Sequence, residues 1–170
     1  PRKVLVDYID SWPVRLPDAT STIARRLSWF GFEGSETLWA DDAYMGISLL
    51  HKVGALDSNE TTVIYAADML GTFIQRLKRE EDGLLSHGWS SQSTEEGVDG
   101  TQSCCPWGRA NGWIITSLVE TLKSINTFPQ PSQLLADKKL ALQSTLQSQL
   151  LATIKFQDKT SGLFHQVLNQ

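Results

Sequence analysis

Cysteine is almost absent from this sequence of 170 residues: only Cys104 and Cys105 are present, and they are neighbours. Two adjacent cysteines exclude a framework of disulfides between distant segments, and they lack the ligand spacing of a zinc site. We therefore expect no metal site and interpret the pair as two thiols in a loop. The alternative is a vicinal disulfide, in which the two neighbouring side chains are bonded to each other.

Long hydrophobic runs are also missing. No stretch approaches the roughly 18 consecutive apolar residues of a membrane-spanning helix, so we expect no insertion into a membrane. The opening residues, PRKVLVDYIDSW, contain no apolar segment followed by a small-residue cleavage site, which a secretory signal would need. Because the sequence does not begin with Met, we expect that an upstream segment was removed or that the chain belongs to a longer product. Extracellular and cytoplasmic locations therefore both stay open.

A strong excess of positive charge is the third missing feature. The 15 Lys and Arg residues are scattered among 19 Asp and Glu residues, which gives a net charge of −4. Binding to nucleic acid depends on clustered cations that displace counterions from phosphates, so we exclude a nucleic-acid partner. A hydrophobic fraction of 41% and a charged fraction of 20% are typical of a soluble globular domain with its own core.

Four segments have the three- and four-residue spacing of apolar side chains that predicts helices with one buried face. No convincing series of strands occurs, so the predicted class is all-α. Asp57 or Ser58 is expected to cap the second helix, and Ser132 the fourth. The predicted helices cover residues 40–53, 57–79, 110–125 and 132–157, and the apolar stripe of the last one consists of Leu135, Leu142, Leu146, Leu150 and Ile154.

A repeat organises these segments. Each long helix is followed by a Gly-Leu pair and then a His, at 83–87 and 162–165, and a Trp precedes each of the two shorter helices. Consecutive helical hairpins joined by like-sided loops suggest a solenoid or a closed α/α toroid, whose inner helices begin at one mouth. We therefore expect six residues to converge at that mouth: Asp41, Asp42, His87, Trp107, Arg109 and His165.

The mouth has the composition of a carbohydrate site. A single carboxylate at a helix N-terminus is explained by capping, which stabilises by about 0.5–2 kcal/mol, whereas a second adjacent one is free to act as a catalytic group. Sugar C–H faces pack on aromatic rings while sugar hydroxyls need hydrogen bonds. Core packing is the alternative for the rings, above all for Trp113. The tryptophans beside polar groups are Trp39, Trp89, Trp107 and Trp113.

Three stretches resemble a known family: LWADDAYMGISLL (38–50), SHGW (86–89) and CCPWGRANGWIITSLVETL (104–122). They are similar to the YteR-like unsaturated rhamnogalacturonyl hydrolases of glycoside hydrolase family 105, which are related to the unsaturated glucuronyl hydrolases of family 88. The Cys-Cys pair resembles the fungal branch of that family in particular. The final GLFHQVLNQ (162–170) resembles the family's His-Gln-Val-Leu-Asp-Gln loop, with Asn169 where an Asp is more usual.

This resemblance implies a barrel of six helical hairpins, the (α/α)6 fold, and a reaction without a cofactor. Family members act on a terminal sugar with a C4=C5 double bond, which polysaccharide lyases leave when they cut pectin. An acid protonates C4, water adds at C5, and the resulting hemiketal opens and releases the sugar. The family's Trp-x-Asp motif falls on Asp41, which would donate the proton and then help to activate the water.

The resemblance also implies substrate-contacting positions. Arg109 is the implied partner of the uronate carboxylate, since a guanidinium can hold a carboxylate through two hydrogen bonds. Met45, one turn beyond Asp41, is expected in the pocket wall, with a place in the core as the alternative. The complete implied set of substrate-binding residues is Trp39, Met45, His87, Trp107, Arg109, Trp113 and His165.

Two family features are missing. The family's second aspartate comes from an earlier hairpin, and the context of Asp7, Asp10 and Asp18 does not match it. About three hairpins are visible rather than six, so we expect half of a ring. The apolar sides of its inner helices would then be exposed, and the remaining half of the same barrel would cover them.

Three functions are compared on these grounds. The main hypothesis is an enzyme of pectin breakdown acting on an unsaturated oligosaccharide, and the alternative is a non-catalytic or degenerate oligosaccharide-binding module. A magnesium-binding acidic pair at DDAYM (41–45), as in the α-helical terpenoid cyclases, is disfavoured because a third ligand at helical spacing is absent.

Overall fold

The computed structural model describes residues 2–26, 34–93 and 99–170, except for the side chains of Arg2 and Leu5. A π turn, Ala43–Ile47, joins a short helix that ends at Asp42 to a helix that begins at Ser48, without a break. None of the described helices is both long and apolar enough to cross a membrane. The helices are α1 (Arg2–Asp10), α2 (Ala40–Asp42), α3 (Ser48–Leu56), α4 (Glu60–Leu77), α5 (Gly108–Ile125) and α6 (Gln133–Ile154). The strands are β1 (Arg25–Arg26), β2 (Glu36–Trp39), β3 (Gly88–Ser90) and β4 (Thr101–Gln102).

All four predicted helices are confirmed, with small changes at their ends. Asn59, rather than Asp57 or Ser58, caps α4: its side-chain oxygen accepts a 3.2 Å hydrogen bond from the backbone N–H three residues later. Ser58 has a positive φ of 53°, so the chain is still turning at that point and the helix begins after it. Ser132 caps α6 as predicted, through a 3.3 Å hydrogen bond.

The helices pack as two hairpins, α3 with α4 and α5 with α6. The first helices of the two hairpins also pack on each other, as do the second ones. Because truncating a buried aliphatic or aromatic side chain costs about 2–5 kcal/mol, this core fixes the hairpins and, with them, the loops at their ends. Fully buried side chains come from α3, α4 and α5 alike: Leu50, Met69, Leu70, Phe73, Leu77, Ile114 and Leu118.

A small antiparallel sheet, in the order β1-β2-β3-β4, was not predicted. Its strands are two to four residues long, which is too short for an alternating pattern to stand out in the sequence. The central pairing sets Trp39 opposite Gly88, and the backbone N–H of Ala40 then donates to the carbonyl of His87 at 3.0 Å. The sheet therefore brings the start of α2 beside the loop that precedes β3.

The apolar stripe predicted along α6 is correct only in its first half. Leu135 and Leu142 are buried, but Leu150 is 47% exposed and Ile154 is 60% exposed. Four-residue steps rotate around a helix by about 40° each, so a stripe that continues from Leu142 to Ile154 leaves the packed face. Gln149, rather than Leu150, is buried on the packed face, and it donates a 3.2 Å hydrogen bond to the carbonyl of Gly83.

Candidate active site

Asp41 and His87 form the centre of the site. The Oδ2 atom of Asp41 lies 2.7 Å from Nε2 of His87. The side chains are 29% and 20% exposed, respectively, so solvent reaches both without surrounding them. The two residues are 46 positions apart in sequence, and the pairing of β2 with β3 holds them in contact. A carboxylate and an imidazole at this distance can exchange or hold a proton.

Two indole rings enclose the imidazole of His87. The ring centroid of Trp39 lies 5.0 Å from that of His87, and the centroid of Trp107 lies 4.5 Å from it, both in edge-to-face orientation. The guanidinium of Arg109 lies over the Trp107 ring, 4.1 Å from its centroid, in cation–π geometry. Three separate stretches of the chain thus join in one continuous cluster from Trp39 to Arg109. The cluster contains four of the six residues expected at the mouth: Asp41, His87, Trp107 and Arg109.

Trp113 stacks on a residue that the sequence reasoning missed. Its ring centroid lies 4.3 Å from that of Tyr44, with 22° between the planes. Trp113 is half-buried one turn after Arg109, and Tyr44 belongs to the π turn that follows α2. The position of Tyr44, three residues after Asp41, was the available signal, because residues three apart share a helix face. The pair forms a second aromatic surface, one turn of α5 beyond Arg109.

Asp42 and Met45 line a different cleft, of about 290 Å³, against α1 and β1. Asp42 forms an ion pair with Arg25. Burial raises the pKa of Asp42, and the charge of Asp41 acts in the same direction, while Arg25 opposes both. Met45, expected on the same side as Asp41, is 61% exposed in this second cleft. The π turn explains the difference, since five-residue hydrogen bonding shifts the following side chains around the helix axis.

His165 does not join the cluster. Its side chain is exposed, and its charge contributes only the smallest of the effects that lower the pKa of Asp158. The neighbouring backbone does reach the site: the N–H of Gly108 donates to the carbonyl of Gln166 at 2.9 Å. Gln166 and Val167 line the cleft beside His87 where His165 was expected.

The prediction of two free thiols is wrong, because Cys104 and Cys105 form a vicinal disulfide. Sequence alone did not decide between these alternatives, since adjacency permits both. Both cysteines line a cleft of about 240 Å³ together with His87, Ser103 and Trp107. The disulfide therefore lies in the wall of the same cleft that the imidazole and the indole enter.

Asn111 connects the segments that carry the cluster, and the sequence reasoning did not select it as a site residue. Its side chain is fully buried. Its Oδ1 accepts a 2.9 Å hydrogen bond from the N–H of Leu85, and its Nδ2 donates to the carbonyls of Leu85 and Trp107 at 2.8 and 3.1 Å. Its position in the first turn of the predicted helix, between Trp107 and Trp113, was the available signal, since a buried amide needs partners for its donors and its acceptor.

The acidic groups do not form a cation site. Asp41 pairs with His87, whereas Asp42 turns to Arg25. Among residues 2–26, 34–93 and 99–170, no group of three or more His, Cys, Asp or Glu side chains is arranged to hold a metal ion. The two adjacent aspartates thus have separate partners rather than a shared ligand.

Helical hairpins that carry a carboxylate, an imidazole, indoles and a guanidinium at one end place the chain in the class of helical-hairpin proteins with the chemical groups of a carbohydrate site. The chain belongs to Glycosyl Hydrolase Family 88, whose family model matches residues 28–170. This assignment confirms the resemblance to families 88 and 105.

Known relatives agree with this family. The chain is 28% identical over 137 residues to the unsaturated rhamnogalacturonyl hydrolase YesR of Bacillus subtilis (strain 168), a match that covers 79% of this chain and 35% of that protein. A family 105 glycoside hydrolase from C. acetobutylicum ATCC 824 matches with a TM-score of 0.75 and 23% identity, over 99% of this chain and 44% of that one. A possible family 105 member from Klebsiella pneumoniae matches with a TM-score of 0.72 and 21% identity, over 99% and 41%.

These matches settle the fold. The predicted (α/α)6 barrel architecture is confirmed. The chain spans less than half the length of each of these relatives, in agreement with the expectation of about half a ring.

Proposed function

We propose that this chain carries the catalytic acid of a hydrolase that releases a terminal 4,5-unsaturated galacturonyl residue from rhamnogalacturonan oligosaccharides. The observation that carries the proposal is the 2.7 Å contact between Asp41 and His87, flanked by the indole rings of Trp39 and Trp107. Membership of Glycosyl Hydrolase Family 88 and the similarity to the hydrolase YesR support this class of substrate.

Asp41 is the proposed general acid and base. In its protonated form it donates a proton to C4 of the double bond, which leaves electron deficiency at C5. The resulting carboxylate then accepts a proton from the water that attacks C5, and the hemiketal formed there opens and releases the sugar. The proton on Asp41 is regenerated in this sequence, so no cofactor is needed. General acid and base groups of this kind accelerate reactions by about 10²–10⁴-fold.

His87 is proposed to orient the carboxyl group. Its ring is held between two indoles, so Nε2 has little freedom to leave Oδ2 of Asp41. A hydrogen bond to one oxygen leaves the other oxygen of Asp41 to face the substrate. Positioning of this type contributes to the rate because the reacting atoms meet in one geometry.

Arg109 is proposed to bind the uronate carboxylate. Its side chain is exposed and lies over Trp107. Within the part of the chain that the structure describes, no carboxylate pairs with it, so its N–H groups are available to a ligand. Stacking on Trp107 holds the plane of the guanidinium, which reduces the conformational entropy lost when an anion binds. Trp39, Trp107 and Trp113 would pack against sugar rings.

Met45 and His165 stay in the proposal as outer contacts. Met45 lies in the second cleft beside Asp42, and His165 is exposed beside the cleft that Gln166 and Val167 line. Both would contact sugar units beyond the cleaved residue, so their substitution should affect long substrates more than disaccharides.

The direct test follows the ultraviolet absorbance of an unsaturated rhamnogalacturonan disaccharide, which disappears when C4=C5 is hydrated. Loss of absorbance with the unsubstituted chain, abolished in Asp41→Asn, supports the proposal. Binding without any loss of absorbance would instead support a non-catalytic oligosaccharide-binding module. That second candidate is favoured by one observation: Asp41 is the one carboxylate in the cluster among the described residues, since Asp42 pairs with Arg25.

The proposed partner is the remaining half of the same barrel. Apolar side chains stay exposed along α6, at Leu140, Leu150, Leu151 and Ile154, and exposed apolar patches mark surfaces that bind other protein segments. The chain covers 41–44% of the matched family 105 structures, which supports further hairpins as the occupant. Adding the remaining hairpins of such a ring should raise turnover and suppress binding of a hydrophobic dye, whereas sedimentation as a dimer of this chain alone would identify a second copy as the occupant.

A further inference from the structure

The Cys104–Cys105 disulfide lies in the cleft but has no part in the chemistry described above. We propose that it forms a wall of the sugar-binding cleft and contacts the bound substrate directly, as a specificity-determining group. This inference rests on the proposed function. The cleft of about 240 Å³ is lined by Cys104, Cys105, His87, Ser103, Trp107, Gln166 and Val167, so a sugar that enters this cleft beside His87 also meets the two bonded cysteines.

The loop that carries the disulfide is held from several sides. The N–H of Ser103 donates to the carbonyl of Gly88 at 2.8 Å, and the Ser103 hydroxyl accepts from the N–H of Gly88 at 3.1 Å. Arg79 donates to the carbonyl of Cys104 at 3.3 Å. The N–H of Leu168 donates to the carbonyl of Pro106 at 3.0 Å. The backbone on both sides of the sulfurs is therefore fixed relative to β3 and to the loop after α6.

The disulfide is not explained by a contribution to the stability of the folded protein. In the chain-entropy account, a disulfide stabilises a protein by closing a loop in the unfolded chain, and its contribution grows with the number of residues in that loop. The sequence separation here is 1, so the closed loop is the smallest that a chain can form. A contribution at the surface of the cleft is the better explanation.

The chemistry of the sulfur pair fits a sugar face. Disulfide sulfurs are polarizable and carry no hydrogen-bond donor, so they present an apolar surface that favours C–H groups, as a thioether does. His87, Ser103 and Gln166 line the same cleft and carry polar groups that can hydrogen-bond to the hydroxyls. If the bond is reduced, two thiols rotate independently, and either can enter the cleft. The oxidised pair is thus a preformed wall, and preformed sites bind more tightly because less entropy is lost.

The experiment compares KM and kcat for the unsaturated disaccharide with the oxidised chain, the reduced chain and the double variant Cys104→Ser, Cys105→Ser. Alkylation and mass measurement count the free thiols in each sample. We expect reduction and double substitution each to raise KM about five- to tenfold with kcat changed less than about twofold, the pattern of a lost binding contact. Reoxidation should restore KM. Reductant added to the double variant is the matched control and should change nothing.

The outcomes separate this inference from the proposed function. Turnover with an unchanged KM after verified reduction overturns the inference alone. Absence of turnover, with binding of the disaccharide still weakened by reduction in calorimetry, overturns the proposed function and supports the inference. Absence of any binding to the oxidised chain overturns both.

Discussion

The side chain of Asn111 exchanges two hydrogen bonds with the backbone of Leu85, accepting at 2.9 Å and donating at 2.8 Å. This contact joins the first turn of α5, which carries Arg109, to the loop that carries His87. A further bond from Asn111 to the carbonyl of Trp107 closes the connection. The relative position of the guanidinium and the imidazole therefore depends on a buried amide that touches neither of them.

Replacing Asn111 with Leu should destabilise the protein by about 2–4 kcal/mol, because the N–H and carbonyl of Leu85 lose their partner inside the core. Urea unfolding measures this change. Asn126→Leu, at the exposed C-terminal end of α5, is the matched control and should change stability by less than about 0.5 kcal/mol. Equal stability of the two variants would show that the amide contact does not hold the loop.

Asp41→Asn should reduce kcat by about 10²–10⁴-fold, because an amide cannot donate the proton to C4. The ultraviolet assay on the unsaturated disaccharide measures the rate, and calorimetry measures retained binding. Asp10→Asn, on the exposed side of α1, is the control and should keep full activity. A variant of Asp41 that keeps normal turnover would exclude this residue as the acid.

Arg109→Met should raise KM for the uronate substrate about 10- to 100-fold, the equivalent of a charge-assisted hydrogen-bond pair of about 1.5–3 kcal/mol. The methyl ester of the same sugar lacks the negative charge, so its KM should be nearly the same in both proteins. Comparing the two substrates separates charge recognition from packing on Trp107. A loss of equal size for acid and ester would mean that Arg109 acts only through its contact with the indole.

Stability should fall in mildly acidic solution because of His51. This residue is fully buried, with Nδ1 2.9 Å from Oγ of Ser124, and burial lowers the pKa of its imidazole from 6.5 to about 4. The unfolded chain binds the proton more readily, so acidification from about pH 6.5 to about pH 4 favours unfolding. The loss approaches about 3 kcal/mol below both values.

Urea unfolding at several pH values measures this effect, and the variant His51→Asn isolates it. Asn keeps a polar group near Ser124 but does not titrate, so the slope of stability against pH should decrease in that window. His165→Asn, at an exposed position, should leave the slope unchanged. An unaltered slope in His51→Asn would assign the acid sensitivity to other groups.

The predictable part of the fold follows from long, periodic segments. The apolar stripe of α4 lies on one face that is buried along the whole helix, since Val63, Leu70 and Leu77 are all fully buried. The sheet escaped prediction because strands such as β4, Thr101–Gln102, are defined by partners distant in sequence rather than by their own pattern. The second half of α6 was predicted wrongly because the packed face follows Gln149, whose polar side chain finds its partner in Gly83.

The candidate site, like the fold, was predicted in part from the sequence. Trp39, Asp41, His87, Trp107 and Arg109 were selected from motifs and repeat position, and the structure brings them together. Met45 was placed on the side of Asp41 by regular helix geometry, which the π turn interrupts. Whether the chain is of the fungal type stays a prediction. The position of a side chain could be predicted from the sequence only where regular helix geometry continues from its motif to the cleft.

By itself, the amino-acid sequence determined the helices, the hairpin order and the types of chemical group at the mouth, because helix periodicity and residue chemistry are local properties. Only the tertiary structure decided that Asp41 contacts His87 while Asp42 contacts Arg25, and that the two cysteines are bonded at the wall of the cleft. The partners of Asp41 and Asp42 depend on strand pairing and on the π turn that follows α2. Adjacent side chains at a helix start point in different directions, and only packing against distant segments fixes which partner each one meets.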